Sequence, residues 1–227
     1  MKLSVIIPVY NEKETIAEII QKVESTPFEK EIIIIDDGSK DGTQNYLTSI
    51  KGQKENIQIF FHEINQGKGA AIRTGLKFAA GEIIIIQDAD LECDPRDYKT
   101  LLEPFQDKET RVVYGSRRLK ENPHGQAVYF LGGKILTALC NLMYKTKLTD
   151  ATTCYKVFAL DVLKNIDLKT NRFEFCMEIT AKLAKAGYKI IEVPVSYYPR
   201  QKNKGKKLKI KDGLMSGWTL IKYFFIK

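Results

Sequence analysis

The chain has 227 residues, of which 44% are hydrophobic and 28% are charged, and its formal net charge is +8. This length and composition fit a single globular domain with a sizeable core, and no internal repeat or low-complexity linker divides the chain. The four cysteines lack the spacing of a metal site or a disulfide scaffold, which favours free, apolar thiols in a reducing cytosol.

Three apolar runs in the N-terminal half predict strands that are buried on both faces. Each run leads into polar residues: Pro8-Val-Tyr-Asn-Glu12, Asp36-Asp-Gly-Ser39 and Gln87-Asp-Ala-Asp90. Strands and helices alternate to about residue 115, so we predict an α/β fold with a mostly parallel sheet covered by helices. The polar ends would then meet at the carboxyl edge of the sheet, where open α/β folds bind ligands.

Two capping boxes predict where the first helices begin, Asn11 with Glu14 and Asp41 with Gln44. The third helix is preceded by Asn65-Gln-Gly-Lys-Gly69, whose backbone N–H groups and lysine could bind a pyrophosphate. The Walker and dinucleotide-binding fingerprints are both absent from the sequence.

A metal site is predicted directly after the third of these apolar runs. Asp88, Asp90 and Glu92 alternate with a period of two, so they would point to one side if the backbone stays extended. Clustered carboxylate oxygens suit Mg²⁺ or Mn²⁺, which usually completes its shell with substrate phosphates. The alternative is a solvated acidic turn.

The C-terminal part combines positive charge with apolar helical patterns. Residues 200–227 contain nine Lys or Arg and one acid, which accounts for the whole net charge. The apolar residues of 213–226 predict an interfacial helix on anionic lipid, too short to span a bilayer, or a helix docked on the core. A similar stripe in residues 126–144 is either core or membrane contact. Nucleic-acid binding is disfavoured because the aromatic residues follow the bases without interleaving with them.

In order, these motifs resemble those of the family-2 glycosyltransferases of the GT-A fold, nearest to the dolichol-phosphate mannosyltransferase and polyprenyl-phosphate glycosyltransferase branch. The likeness covers roughly residues 3–212 and extends to Asp41-Gly-Thr43, Gly115-Ser-Arg117, the segment 149–158, a helix over 173–186 and Val193-Pro-Val-Ser-Tyr197. It implies a single GT-A (Rossmann-like) catalytic domain over residues 1–212, followed by an amphipathic helix over 213–227.

The resemblance also implies a function. We expect an inverting, Mg²⁺- or Mn²⁺-dependent transfer of a sugar from a nucleotide-sugar donor, UDP-linked in preference to GDP-linked, to a polyprenyl or dolichyl phosphate. The enzyme would lie peripherally at the cytoplasmic face of the membrane. One alternative acceptor is a hydroxyl of a soluble or cell-envelope glycan. Alternatives from other classes are a non-enzymatic lipid-surface module, a response-regulator-like module and a sugar-nucleotide pyrophosphorylase, whose Gly-rich signature is absent.

The same resemblance implies the roles of individual residues. The nucleotide-sugar set is Pro8, Tyr10, Glu12, Asp36, Asp37, Lys68, Gln87, Asp88 and Ala89. The metal set is Asp88, Asp90 and Glu92, and the catalytic set is Asp88 and Asp90 with Asp150 and Glu178 as candidate bases for a hydroxyl acceptor. The acceptor set is Arg117, Arg118, Lys134 and Arg200, because cations pair with phosphate.

Two features fit the family pattern less well or fall outside it. In the family, helix 126–144 usually carries an Arg and a Ser that contact the acceptor phosphate. This chain instead has Tyr129, Phe130, Gly132 and Gly133, with Lys134 as the only cation. The two histidines, His62 and His124, lack metal-site spacing and are predicted to be loop or surface groups.

Overall fold

The computed structural model describes residues 1–123, 126–200 and 210–226. Seven strands form one sheet in the order β3-β2-β1-β4-β6-β5-β7. Neighbouring strands are parallel except for β6, which is antiparallel to both β4 and β5. The predicted α/β class and the mostly parallel sheet are therefore confirmed. The strands are β1 (Leu3–Val9), β2 (Lys30–Asp36), β3 (Ile57–Phe61), β4 (Ile83–Ile86), β5 (Val112–Ser116), β6 (Lys156–Ala159) and β7 (Ile190–Pro194).

Helices cover both faces of this sheet, which is why its central strands can be built almost entirely from isoleucine. The four isoleucines of β2 are fully buried, and those of β4 are nearly so. The helices are α1 (Ile16–Glu24), α2 (Thr43–Ile50), α3 (Lys68–Leu76), α4 (Tyr98–Leu102), α5 (Ala127–Tyr144), α6 (Leu160–Lys164), α7 (Phe175–Lys185) and α8 (Ile210–Phe225).

The two predicted capping boxes are not formed. Helix α1 begins at Ile16, and Asn11, with a positive φ of 50°, instead accepts a hydrogen bond from the Lys40 N–H at 2.8 Å. Asp41 does bind the Thr43 N–H at the start of α2, but the Gln44 side chain donates to Asp36. The first departure ties the loop after β1 to the loop after β2, and the second ties α2 to the end of β2.

Helices α5 and α8 lie side by side and leave much apolar surface exposed. One face of α8 is docked on the body: Leu220 is fully buried, and the Tyr144 hydroxyl of α5 donates to the Leu220 carbonyl at 2.6 Å. Helix α8 continues through residues 212 and 213, so the predicted boundary falls inside it. The apolar stripe, as we call it, consists of the exposed side chains Val128, Leu131, Ile135, Leu142, Leu214, Trp218, Ile221 and Phe225.

The predicted docking of residues 213–226 on the core is seen for one face of α8, whereas the other face is exposed and its predicted contact with lipid stays a prediction. Helix α5 is long and apolar enough to cross a bilayer, and within the described residues it is the one helix that meets this test. Core helices of soluble proteins meet the same test.

Candidate functional site

A cavity of about 1680 Å³ opens at the carboxyl ends of β1, β2 and β4. Its polar end is formed by the loops that follow these strands and by the start of α3. Its other end is formed by α5 and α8, including Leu136, Trp218 and Ile221. Most of the predicted site residues line this one cavity: Pro8, Tyr10, Glu12, Asp37, Lys68, Asp88, Ala89, Asp90, Glu92, Arg117, Arg118, Lys134, Asp150 and Arg200.

Asp88 and Lys68 form an ion pair at the polar end of the cavity, and both side chains are largely buried. Burial by itself would raise the pKa of Asp88, but the adjacent Lys68 ammonium holds it below its usual value. Burial would likewise lower the pKa of Lys68, and the Asp88 carboxylate raises it instead. Both groups are therefore charged at neutral pH, and each neutralises the other.

Asp90 lies among like charges. Burial and the charges of Asp88 and Glu92 raise the pKa of Asp90 to about 7. Its Oδ1 accepts a hydrogen bond from the Glu92 N–H at 3.1 Å. A carboxylate in such a position is stabilised by a cation.

Glu92 does not join Asp88 and Asp90 in a three-carboxylate metal site, and that part of the prediction is wrong. Its Oε2 accepts from the Tyr197 hydroxyl at 3.0 Å, and its Oε1 accepts from the Arg200 N–H at 2.9 Å. Leu91 has a φ of 61°, so the extended backbone that the prediction assumed is broken between Asp90 and Glu92. No group of three or more metal-ligating side chains occurs among the described residues.

The remaining donor set still fits a divalent cation. Asp88 and Asp90 supply hard oxygen ligands, and a Mg²⁺ ion needs only one or two carboxylates when substrate phosphates complete its shell. The raised pKa of Asp90, which burial and its acidic neighbours cause, indicates negative charge that the protein does not fully compensate. Asp90, with Asp88 once it leaves Lys68, would hold Mg²⁺ or Mn²⁺ together with the donor diphosphate.

Asp37 is held by a network that includes His62. Its Oδ1 accepts from the Gln66 N–H at 2.9 Å and lies 2.7 Å from His62 Nδ1, while its Oδ2 accepts from the Gly67 N–H at 2.7 Å. The other ring nitrogen of His62 lies 2.9 Å from the Thr74 hydroxyl. His62 lies in the loop after β3, as predicted, and its largely buried ring also orients Asp37. Its lack of a sequence partner concealed this role; His124 lies outside the described residues.

The glycines of the 65–69 loop serve a close approach within the protein. A Cβ on Gly69 would lie 3.1 Å from the carbonyl carbon of Asn171, and Gly67 has a φ of 103°. The Ala70 N–H donates to the Asn171 carbonyl, and the preceding amides bind Asp37. Of the 65–69 N–H groups that were predicted to bind a pyrophosphate, those of Gln66 and Gly67 are used inside the protein, and Lys68 remains the cation of this loop in the cavity.

Two residues of the predicted nucleotide set do not line the cavity. Asp36 is fully buried and accepts hydrogen bonds from the Ser39 N–H and the Gln44 side chain, so it shapes the turn after β2. Gln87 is also fully buried, and its Oε1 accepts from the hydroxyls of Tyr98 and Tyr155 at 2.9 and 2.8 Å. Its side-chain amide donates to the Asp88 carbonyl, so Gln87 stabilises the acidic loop, residues 88–92.

The two candidate bases are committed to other contacts. Glu178 is fully buried outside the cavity and accepts from Lys182 Nζ at 2.6 Å and the Thr170 N–H at 2.7 Å. Asp150 lines the cavity, but it forms a two-bonded ion pair with Arg117, at 2.7 Å from Nε and 2.9 Å from Nη2. Although burial opposes it, Arg117 holds the pKa of Asp150 below its usual value. Neither residue is placed to accept a proton from a hydroxyl acceptor.

The four predicted acceptor cations separate into two groups. Arg117, Arg118 and Lys134 lie where the polar end meets the apolar end, and Arg118 and Lys134 both approach the Phe130 ring, at 5.7 and 4.7 Å. Arg200 lies on the donor side, where it pairs with Glu12 and donates to the Asp90 carbonyl at 3.0 Å. Its present contacts are therefore with the donor site and not with an acceptor site.

Comparison with known proteins identifies the family. The model of Glycosyl transferase family 2 matches residues 4–167, which is more than half of the chain. The chain belongs to the family-2 glycosyltransferases. The glycosyltransferase is also 30% identical over 201 residues to an uncharacterised protein of Methanocaldococcus jannaschii, covering 86% of this chain and 80% of that one.

Two relatives of the glycosyltransferase carry names that state an activity. The undecaprenyl-phosphate mannosyltransferase of Micrococcus luteus is 25% identical over 217 residues, which cover 91% of this chain and 87% of that protein. The dolichol-phosphate mannosyltransferase of Pyrococcus furiosus is 26% identical over 230 residues, which cover 98% of this chain and 62% of that protein.

Solved structures of other glycosyltransferases show the same GT-A fold. Glucosyl-3-phosphoglycerate synthase from Mycobacterium tuberculosis, in complex with Mn²⁺, UDP and glucosyl-3-phosphoglycerate, superposes with a TM-score of 0.77 at 17% identity, covering all of this chain and 81% of that one. Mannosyl-3-phosphoglycerate synthase from Rubrobacter xylanophilus superposes with a TM-score of 0.74 at 20% identity, covering 98% and 72%. At these identities the likeness supports the fold alone.

Proposed function

We propose that this glycosyltransferase moves a sugar from a nucleotide-sugar donor, UDP-linked in preference to GDP-linked, to a polyprenyl phosphate. The observation that carries the proposal is the continuity of the cavity. Carboxylates and Lys68 lie at one end, Arg117 and Arg118 lie in the middle, and the apolar stripe begins at the other end. A phosphate head on a long apolar tail matches the second and third of these regions in that order.

Each end of the cavity has chemistry for one substrate. At the donor end, Lys68 would exchange Asp88 for the departing diphosphate, whose negative charge grows as the sugar–phosphate bond breaks. At the acceptor end, the Arg117 guanidinium, whose Nε and Nη2 bind Asp150, would attract and orient the acceptor phosphate by its positive charge. When bound, Mg²⁺ or Mn²⁺ supplies Lewis-acid stabilisation of the diphosphate. A phosphate oxygen attacks the anomeric carbon while the diphosphate leaves with the bonding electrons, so the configuration inverts.

The positions of the acids favour a phosphate over a hydroxyl as the nucleophile. A hydroxyl acceptor needs a base to take its proton, whereas a phosphate oxygen is already anionic. Asp150 is held by Arg117 and Glu178 lies outside the cavity. The two relatives named for undecaprenyl and dolichol phosphate support the same acceptor class.

A peripheral position at the cytoplasmic face of a membrane follows as part of the proposal. The apolar stripe would contact the lipid, and the Lys- and Arg-rich residues that precede α8 in the sequence would favour anionic headgroups. This arrangement would deliver a polyprenyl phosphate to the cavity without removing its tail from the bilayer.

The test is a transfer assay with Mn²⁺ and a panel of UDP- and GDP-sugars, run with a short-chain polyprenyl phosphate and in parallel with 3-phosphoglycerate and a simple glycoside. The expected product partitions into organic solvent and forms from a UDP-sugar. Product formed only from the glycoside would establish a hydroxyl acceptor in its place. Absence of transfer from every donor to every acceptor would contradict the proposal.

A further inference from the structure

A buried lysine contacts the backbone of a segment that lines the acceptor end of the cavity. Lys156, the first residue of β6, is 1% exposed, and its Nζ donates to the carbonyls of Ala151 and Thr153 at 3.0 and 2.9 Å. The same ammonium lies 4.0 Å from the centroid of the Tyr114 ring. No carboxylate forms an ion pair with Lys156 in the part of the chain that the structure describes. Burying an ammonium group without a carboxylate partner costs free energy. The two carbonyl contacts offset part of this cost, and they tie Lys156 to one segment of backbone.

The two carbonyls belong to the segment 149–155, which we call the acceptor loop. Side chains of this loop alternate between two environments. Asp150, Thr152 and Cys154 line the cavity, whereas Ala151, Thr153 and Tyr155 are fully buried. Lys156 therefore binds the backbone at two of the positions whose side chains face the core.

The acceptor loop in turn orients Arg117. Asp150 binds the guanidinium through both carboxylate oxygens, and the Thr152 hydroxyl accepts a third hydrogen bond from Nη2 at 3.0 Å. The Thr152 hydroxyl also donates to Asp150 Oδ1 at 3.0 Å, so the two side chains hold each other in place. A shift of the loop at Thr152 would move the guanidinium.

Other residues also hold this loop: in its second half the Thr153 hydroxyl donates to the Gly115 carbonyl, and the Gly115 N–H donates to the Tyr155 carbonyl at 2.9 Å. Glu192 accepts the amides of Thr149 and Asp150 at 2.6 and 2.9 Å, and the Thr137 hydroxyl accepts the Ala151 N–H at 3.2 Å. Lys156 is the charged group that reaches Thr153, in the half that carries Thr152 and Cys154. Glu192 and Thr137 bind other residues of the loop, so they do not replace the contact between Lys156 and the Thr153 carbonyl.

We propose that Lys156 is a positioning residue for transfer: it holds the acceptor loop so that Asp150 and Thr152 aim Arg117 at the acceptor phosphate. The inference rests on the proposed function in one respect, namely that Arg117 binds that phosphate. Lys156 itself contacts neither substrate. Its effect should therefore appear at the acceptor and leave the donor end unchanged.

The test compares Lys156→Met, which keeps the length of the side chain and removes the charge, with Val157→Ala. Val157 is the next residue of β6 and is also fully buried, so its truncation lowers stability without touching the loop carbonyls. In Lys156→Met we expect the KM for polyprenyl phosphate to rise by about tenfold or more, because small misplacements of a positioning group have large kinetic effects. The Kd of UDP with Mn²⁺ should stay within about twofold of the wild-type value. Val157→Ala should lower Tm and leave both constants unchanged.

A second measurement needs no substrate. Backbone amides of residues 152–155 should exchange with solvent about tenfold faster in Lys156→Met than in the wild type, because the local opening that exposes them is easier. If Lys156→Met does not fold, Lys156→Gln, which keeps one donor, should show the same changes at smaller size. An unchanged acceptor KM, or unchanged exchange in the loop, would overturn the inference. If the wild-type protein transfers nothing, the proposed function fails, while the exchange measurement still decides whether Lys156 holds the loop.

Discussion

Lys68, the first residue of α3, pairs with Asp88, the first acid after β4, and this pair lies where the donor diphosphate is proposed to bind. A substrate phosphate and a divalent cation would each compete for one member of the pair. The pair would therefore make the two binding events depend on each other, since the phosphate would draw Lys68 away and free Asp88 for the cation.

Replacing Lys68 should affect the nucleotide and the metal in opposite directions. In Lys68→Met, we expect the Kd of UDP to rise by about tenfold, the scale of one lost charge-assisted hydrogen bond. Mn²⁺ without nucleotide should bind more tightly, because Asp88 no longer has a cationic partner. Calorimetry measures both constants. Lys77→Met, an exposed lysine at the end of the same helix, is the control and should change neither.

Asp90 should be the more important of the two acids for metal-dependent transfer. We expect Asp90→Asn to lower turnover at least about a hundredfold, the scale of one lost charge-stabilising group, and EDTA to abolish turnover. Asp94, in the same loop, binds Arg96 outside the cavity, so Asp94→Asn should retain most activity. Full turnover in EDTA would remove the metal from the mechanism.

Glu92 should behave differently from Asp90, because it holds Tyr197 and the Arg200 backbone instead of lying in a metal site. Glu92→Gln keeps an acceptor oxygen for one of these contacts, so we expect a lower Tm with the dependence of rate on Mn²⁺ concentration unchanged. A titration of activity with Mn²⁺ checks this. A large rise in the Mn²⁺ concentration needed for half-maximal rate would return Glu92 to the ligand set.

Glu178 should stabilise the fold at neutral pH and lose this effect in acid. Despite burial, its contacts with Lys182 and Thr170 lower the pKa of Glu178 to about 2, against an ordinary 4.5. A carboxyl group whose pKa falls on folding stabilises the protein above the unfolded pKa, and the effect fades as pH drops from about 4.5 towards 2. The difference corresponds to at most about 3 kcal/mol.

The free energies of unfolding of wild type and Glu178→Gln should therefore differ most near pH 7 and converge at low pH. Denaturant titrations across this range measure the difference. Glu174→Gln, at the start of the same helix, serves as the control, because Glu174 accepts only a weak hydrogen bond from the Arg172 N–H at 3.3 Å. A pH-independent difference would show that Glu178 contributes by packing alone.

Vesicle binding should depend on the apolar stripe. Leu214 and Trp218 are exposed, so the double variant Leu214→Gln, Trp218→Gln should fold normally and bind anionic vesicles much less than the wild type does. Ile64→Gln changes an exposed apolar residue elsewhere and should bind like the wild type. Co-sedimentation with anionic and neutral vesicles at two salt concentrations is the measurement. Equal binding by all three proteins would assign the stripe to another partner.

The sequence was sufficient to predict the strands that form the site, because buried isoleucine runs leave few alternatives. It could not predict that β6 inserts antiparallel between β4 and β5, since strand order depends on contacts between distant segments. Asp36 and Asp37 are adjacent, yet Asp36 is buried away from the cavity and Asp37 lines it. Which of two adjacent acids faces a ligand depends on partners such as Gln44 and His62, which sequence spacing does not reveal.

The acidic loop shows the same limit. A period of two in the sequence predicted that Asp88, Asp90 and Glu92 share one side, but the positive φ of Leu91 changes the direction of the chain before Glu92. Nothing about a leucine favours that conformation. The backbone conformation at Leu91 is stabilised by the hydrogen bonds that Glu92 makes with Tyr197 and Arg200, more than a hundred positions further along the chain.

Helix α8 joins two properties that are often separate, since it is docked through Leu220 and Tyr223 and exposed through Leu214 and Trp218. If α8 were a flexible tether, the enzyme could change its orientation freely relative to any surface that α8 binds. A docked helix does not allow this, because its exposed stripe has a fixed position relative to Asp90. Whatever covers the stripe would therefore also set the distance and tilt of the cavity relative to it, and with them the length of the proposed acceptor that could reach the donor sugar.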